Sequence, residues 1–212
     1  MVVPTDRRAV RGVRGEQLEV ARDEIATLCA TAPGLLTGQE RRDLLTEATA
    51  ARAAARRTDR PDWTVVDGHQ FLGPARYWYS LEGGMRLALQ TRLAARVSAR
   101  IDRPLVAVQS NYLYYEAGDF LGLHHDQTRC PFTVIALLDG DAEPLCVHRE
   151  LIGVPAAELG SLVEPNGHRG GEPIDLQDGP VVISGCVVPH HRTDHGVGGA
   201  LTIATFCFAP AS

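Results

Sequence analysis

Lysine is absent from this 212-residue chain, so all 21 basic residues are arginines. That excludes Schiff-base chemistry and any lysine clamp on an anionic substrate. Taken with the abundance of alanine and glycine, it reads as the codon usage of a GC-rich genome rather than as function. Long apolar runs are missing too: nothing approaches the roughly 18 uninterrupted apolar residues of a membrane helix. The first residues, MVVPTDRRAVRGVRGEQ, carry arginines with no apolar segment behind them. No secretory signal is therefore expected, and the chain reads as cytoplasmic. Cysteines are few, and the five (Cys29, Cys130, Cys146, Cys186 and Cys207) are scattered without a CxxC pair. They read as small buried hydrophobes, not as disulfides or zinc ligands. Basic charge thins out along the chain. Residues 1–103 hold 17 Arg against 13 acids, while 104–212 hold 4 against 13, which gives the net −5. Phosphate contacts need clustered positive charge, so a nucleic-acid partner is not expected for the acidic half.

What is present is ordinary globular material, 44% hydrophobic and 22% charged, enough to bury a core in one domain. Residues 1–103 read as mainly helical support. Segments 16–32 and 38–57 carry helix-favouring patterns, broken by Pro33-Gly34 and Arg60-Pro61. A third helix is expected over about 79–100, although Gly83-Gly84 weakens its first turn, with Leu87, Leu89, Leu93 and Val97 packing on a sheet. The alanine–arginine run reads as a solvated helix face rather than a nucleic-acid arm.

From residue 104 the texture changes. PLVAVQSNYLYYEAG, CPFTVIALLDG, GPVVISGCVVP and GALTIATFCFAP are short β-branched and aromatic runs bounded by turn residues, the pattern of strands. The stretch 139–180 is loop-rich, and PNGHRGGEP (165–173) reads as an exposed tip. Strands without alternating helices indicate an antiparallel sandwich or barrel. The expected fold is α+β: a jelly-roll core over 104–208 behind N-terminal supporting helices.

Seven of the eight histidines follow residue 120. His124-His125-Asp126 and His190-His191-Arg192-Thr193-Asp194-His195 each follow a strand-like run. Residues two apart on a strand share a face, so His124 and Asp126 can converge on one ion while His125 points away. A third histidine from a neighbouring strand would complete a two-histidine, one-carboxylate triad suited to non-haem Fe(II) and oxygen. The 64-residue separation from Asp126 to His190 leaves room for the strands that would bring the clusters together. A metal phosphohydrolase built on His125-Asp126 would need helices there, and the flanks are strand-like.

These residues resemble a known family. NYLYYEAGDFLGLHHD is similar to the stretch leading into the HxD motif of the Fe(II)/2-oxoglutarate-dependent dioxygenases, the prolyl-hydroxylase-like branch in particular, with Tyr115, Gly118 and His124 in matching positions. RCPFTVIALLDG and GPVVISGCVVPHHR resemble the following core strand and the strand that delivers the distal histidine. The resemblance covers roughly 104–208 and implies a double-stranded β-helix of the jelly-roll or cupin type. It implies Fe(II), 2-oxoglutarate and O2 as cofactor and co-substrates, and His124 and Asp126 as ligands with either His190 or His191. His190 is preferred, and His195 is left for substrate contact. One departure stands out. The family places an Arg or Lys about nine to ten residues after the distal histidine to hold the distal carboxylate of 2-oxoglutarate, and GGALTIATFCF contains neither. Arg192 is the first substitute, sharing a face with His190, and Arg129 the second, with Tyr115 and Thr202 as neutral helpers. The activity implied is hydroxylation or another C–H oxidation of a small metabolite or amino-acid derivative. A cupin-like metalloenzyme without 2-oxoglutarate and a non-catalytic jelly-roll binding protein are the rival readings. No membrane partner is expected, and the sequence carries no signal of oligomeric state.

Overall fold

The computed structural model describes residues 29–141, 144–163, 170–193, 196 and 200–211. In chain order the elements are β1 (Ala30–Thr31), α1 (Gly38–Ala51), β2 (Arg56–Arg60), β3 (Thr64–Val66), β4 (Gln70–Leu72), β5 (Ala75–Ser80) and α2 (Gly84–Ile101). Then come β6 (Leu105–Tyr115), β7 (Phe120–His124), β8 (Phe132–Asp139), β9 (Leu145–Val147), the one-turn α3 (Ala156–Leu159), β10 (Glu172–Ile174), β11 (Val181–Ile183), β12 (His190–Arg192) and β13 (Leu201–Pro210).

The last eight strands divide between two antiparallel walls. One wall runs β11-β8-β13-β6 and the other β7-β12-β9-β10, with β5 bridging β6 to β7. That is a nearly closed jelly roll, the double-stranded β-helix. Strand periodicity decides what each wall shows to either side. On β6, Tyr112 and Tyr114 enter the core beneath the helices, while Leu113 and Tyr115 enter the core between the walls. On β13, Ala204, Phe206 and Phe208 face the helices, and Ile203 faces inward.

The helices are fastened to the outer face by specific polar contacts. Thr37 and Glu40 form a reciprocal capping box at the start of α1, which satisfies otherwise orphaned N–H groups. Glu47 of α1 accepts the backbone N–H groups of Met85 and Arg86, at 2.7 and 2.9 Å, and so caps α2 from outside. Gly83 makes this possible: its φ is 138°, and a Cβ there would lie 2.4 Å from Glu47 Oε1. Arg86, buried at the head of α2, donates to Ser110 on β6 and to the Leu81 carbonyl.

Glu40 also ties α1 to α2 through a two-point pair with Arg96, at 2.8 and 2.9 Å. Those hydrogen bonds, above all, pull its pKa down from the ordinary carboxylate value to about 2. A depressed folded-state pKa stabilises the fold above the unfolded value, and that contribution is lost as pH falls from about 4.5 towards 2. Glu40→Gln is expected to cost on the order of 2 kcal/mol at pH 7. In paired thermal melts the gap to wild type should narrow steadily below about pH 4.5; a gap independent of pH would contradict the assignment.

Several sequence expectations are corrected. The described part of 1–103 carries five strands, β1 to β5, beside its helices. Most of the 16–32 helix lies outside the described residues, and its end is strand β1, drawn into pairing with β11. The 38–57 helix stops at Ala51, succeeded by a 3-10 turn over Arg52–Ala54. Beyond that turn, pairing with β5 overrides the helical propensity of Arg56–Arg60 and makes it a strand. The third helix begins only at Gly84, and Leu87 is 55% exposed; Leu89, Leu93 and Val97 do pack on the sheet, joined by Ala94. In the 165–173 tip, 164–169 lie outside the described residues, while Glu172-Pro173 are in β10. Among the described residues, no helix is long and apolar enough to cross a membrane.

Candidate metal centre and its cavity

Between the walls lies a cavity of about 410 Å³. His124 ends β7 and His190 opens β12, and the two are direct partners in the antiparallel ladder. Their rings lie 4.1 Å apart. Asp126 sits two residues beyond β7, where its N–H donates to the Gly185 carbonyl at 2.8 Å. Asp126 Oδ1 is 3.8 Å from Nε2 of both histidines. The ligand atoms of His124, Asp126 and His190 all lie within 4.8 Å of one another.

The donor chemistry fits a divalent metal. Nδ1 of His124 donates to the Gly122 carbonyl and Nδ1 of His190 to the Val188 carbonyl, each at 2.9 Å. Both histidines are thereby held in the tautomer that leaves Nε2 bare and turned towards the carboxylate. Burial, reinforced by His190, keeps His124 well below its ordinary pKa and hence neutral. Thr133 Oγ1 donates to Asp126 Oδ2 at 2.5 Å, which orients the carboxylate and leaves Oδ1 for an ion. Two histidines and one carboxylate on one side leave the other side of an ion open.

Gly185 is required by this arrangement. A Cβ there would stand 2.0 Å from Asp126 Oδ2 and 2.6 Å from its Cγ, distances no carboxylate tolerates. Gly185→Ala is expected to push Asp126 out of register and weaken divalent-metal affinity by at least tenfold, about 1.4 kcal/mol. Titration of the metal-free protein with Co(II) reads this directly, and unchanged affinity would show that Asp126 can move freely.

The structure separates the other site candidates. His191 turns to His148, donating from Nδ1 to its Nε2 at 2.9 Å, and His148 in turn donates to Glu150 at 2.8 Å. His125 pairs with Phe71 of β4 through its backbone N–H and its Nδ1, and burial pulls its pKa down to about 4. Arg192, two residues past His190 and 3% exposed, lines the cavity beside the metal cluster. Its guanidinium lies 5.4 Å from the centre of the Tyr115 ring. Arg129 is not a lining residue; it is spent on Gln127 and Gln109. Thr202 is not one either. It pairs with Tyr114, whose hydroxyl reaches Ala48 of α1, so its side of the strand faces the helices. His195 lies outside the described residues. Sequence reasoning did not find Thr133, Gly185, Arg60 or the His148–Glu150 pair. Thr133 and Gly185 do lie in the runs matched to core strands, RCPFTVIALLDG and GPVVISGCVVPHHR.

The class defined by these features is the double-stranded β-helix with a His/Asp/His cluster between its walls. No protein-family model matches the sequence, and no curated protein matches it. Solved structures do. The 2-oxoglutarate (alpha-ketoglutarate)-dependent non-haem epimerase SnoN of nogalamycin biosynthesis aligns over 93% of this chain and 84% of its own, with TM-score 0.61 and 17% identity. HygX from Streptomyces hygroscopicus, solved with nickel and 2-oxoglutarate bound, aligns over 92% and 87%, with TM-score 0.59 and 18% identity. A prolyl-4-hydroxylase from Pseudomonas putida aligns over 92% and 100%, with TM-score 0.51 and 15% identity. At such identities the likeness establishes a shared fold.

Proposed function

We propose that this protein is a non-haem Fe(II)- and 2-oxoglutarate-dependent oxygenase that oxidises a C–H bond of a small metabolite or amino-acid derivative. The observation that carries the reading is the convergence of His124, Asp126 and His190 in a cavity that also receives Arg192. The shared fold supports it. SnoN was solved with Fe3+, alpha-ketoglutarate and a nogalamycin compound, and HygX with nickel, 2-oxoglutarate and hygromycin B. Both neighbours thus hold small molecules.

His124 and His190 would hold the iron through Nε2 and Asp126 through Oδ1. Once bound, Fe(II) with 2-oxoglutarate and O2 supplies the oxidising power, 2-oxoglutarate leaving as succinate and CO2. The chain's own residues do the rest. Gly122 and Val188 carbonyls fix the two imidazoles, and Thr133 fixes the carboxylate. Arg192 would meet the distal carboxylate of 2-oxoglutarate, beside Tyr115, whose hydroxyl burial pushes to a high pKa. Leu113, Leu121, Leu145 and Ile203 line the cavity and exclude water, which strengthens the charge pairing inside.

Anaerobic titration tests this. Fe(II) followed by 2-oxoglutarate should produce the visible charge-transfer band of an iron-chelated keto acid. Iron binding without that band would instead favour a metalloenzyme that does not use 2-oxoglutarate.

A further inference from the structure

The cavity holds a second cation, on the side away from β13. Arg60, the last residue of β2, lines the cavity together with Tyr77 and Gln70. Its Nε donates to the Gly73 carbonyl at 2.7 Å, which fixes the guanidinium while leaving its two terminal nitrogens. Burial pulls its pKa down. No carboxylate among the described residues lies within ion-pair distance of Arg60. Asp126 is the only acid among the described residues that line the cavity. A half-buried cation without a counter-ion is costly unless a ligand supplies one.

Three amides on the cavity wall point the same way. Arg129 donates to the amide oxygens of both Gln127 and Gln109, at 2.5 and 2.8 Å. Thr205 donates to the amide oxygen of Asn111. With their oxygens occupied, Gln109, Asn111 and Gln127 present N–H donors to whatever fills the space. Gln70 is reversed, donating to the His125 carbonyl at 3.0 Å and keeping its oxygen. Away from the metal cluster, a cation and several amide donors describe a site for an oxygen-rich anion.

Resting on the oxygenase reading above, we infer that the substrate is a carboxylic acid whose carboxylate is received by the Arg60 guanidinium. A guanidinium fork suits a carboxylate in two-point contact.

The test uses the full chain loaded with redox-inert Ni(II) and saturating 2-oxoglutarate. Ligand-observed NMR then compares benzoate with benzamide and phenylacetate with phenylacetamide. Wild type is expected to bind each acid at least about tenfold more tightly than its amide. Arg60→Met removes both the charge and the bond to Gly73, whereas Arg60→Lys keeps a positive charge on a side chain that still donates. The methionine variant should lose the preference and the lysine variant should keep most of it. Calorimetric affinity for 2-oxoglutarate should stay within about twofold in both. No acid preference in wild type, or equal loss in both variants, overturns the inference. A tenfold fall in 2-oxoglutarate affinity in Arg60→Met also overturns it, because Arg60 would then hold the co-substrate. Failure of the oxygenase reading itself is separately visible, as wild type that binds no 2-oxoglutarate at all; the acid comparison is then made with Ni(II) alone.

Discussion

Asp126→Ala is expected to give a folded protein that retains no tightly bound iron and shows no iron-dependent turnover. The carboxylate is the one anionic ligand in the cluster, facing Nε2 of both histidines at 3.8 Å. Two neutral imidazoles alone bind Fe(II) weakly, since a hard, oxygen-preferring donor and a unit of charge are both gone. The fold should survive because Asp126 belongs to no strand, and its backbone bond to Gly185 does not depend on its side chain. One cost remains: Thr133 Oγ1 loses its acceptor, worth about 1–3 kcal/mol if the hydroxyl finds no water. Gly185→Ala probes the same atom from the other side, with the carboxylate present but displaced. Circular dichroism establishes the fold, and a chelator-buffered iron titration reads the affinity. Full activity in Asp126→Ala would move the metal site elsewhere.

The range of the interactions involved decided which features were legible in the sequence. Strands β6, β8 and β13 were legible because each alternates between two buried environments, the helix layer and the cavity, and carries the matching β-branched and aromatic runs. His124 and Asp126 were legible because they stand two apart beside a strand end. Strands β2 to β5 were not, because a polar segment such as Arg56–Arg60 becomes a strand only through its partner β5, and no local pattern announces a partner. Strand alternation says only that one of His190 and His191 can point inward; the preference for His190 came from the family resemblance, and in the structure His191 is engaged by His148, 43 residues away in the chain. The role of Gly185 was hidden for a similar reason. Its constraint is a clash with a carboxylate that the fold brings in from 59 residues earlier. The expected arginine substitution was visible only as a gap in GGALTIATFCF. That the cavity contains both Arg192 and Arg60 needed the three-dimensional arrangement.

Arg192→Leu is expected to raise the apparent KM for 2-oxoglutarate by one to two orders of magnitude, about 1.4–2.8 kcal/mol of binding. Inward-facing positions at the start of β13 are Leu201 and Ile203, which offer nothing to a carboxylate. Arg192 reaches the same region from β12, over the ring of Tyr115, and Tyr115 is the direct partner of Leu201 across the β6–β13 ladder. The cation thus comes from the opposite wall while the space it serves is kept. Removing it leaves a carboxylate facing Leu201 and Ile203, where an unpaired charge costs several kcal/mol. Arg192→Lys should recover only part of the loss, since an ammonium cannot offer the two-point fork. Iron affinity should change little in either variant, because the guanidinium is not a ligand and His190 keeps its bond to Val188. Set beside Arg60→Met, the variant forms a crossed comparison in which Arg192 governs 2-oxoglutarate and Arg60 governs the substrate acid. Normal 2-oxoglutarate binding in Arg192→Leu would transfer the co-substrate to Arg60 and exchange the two roles.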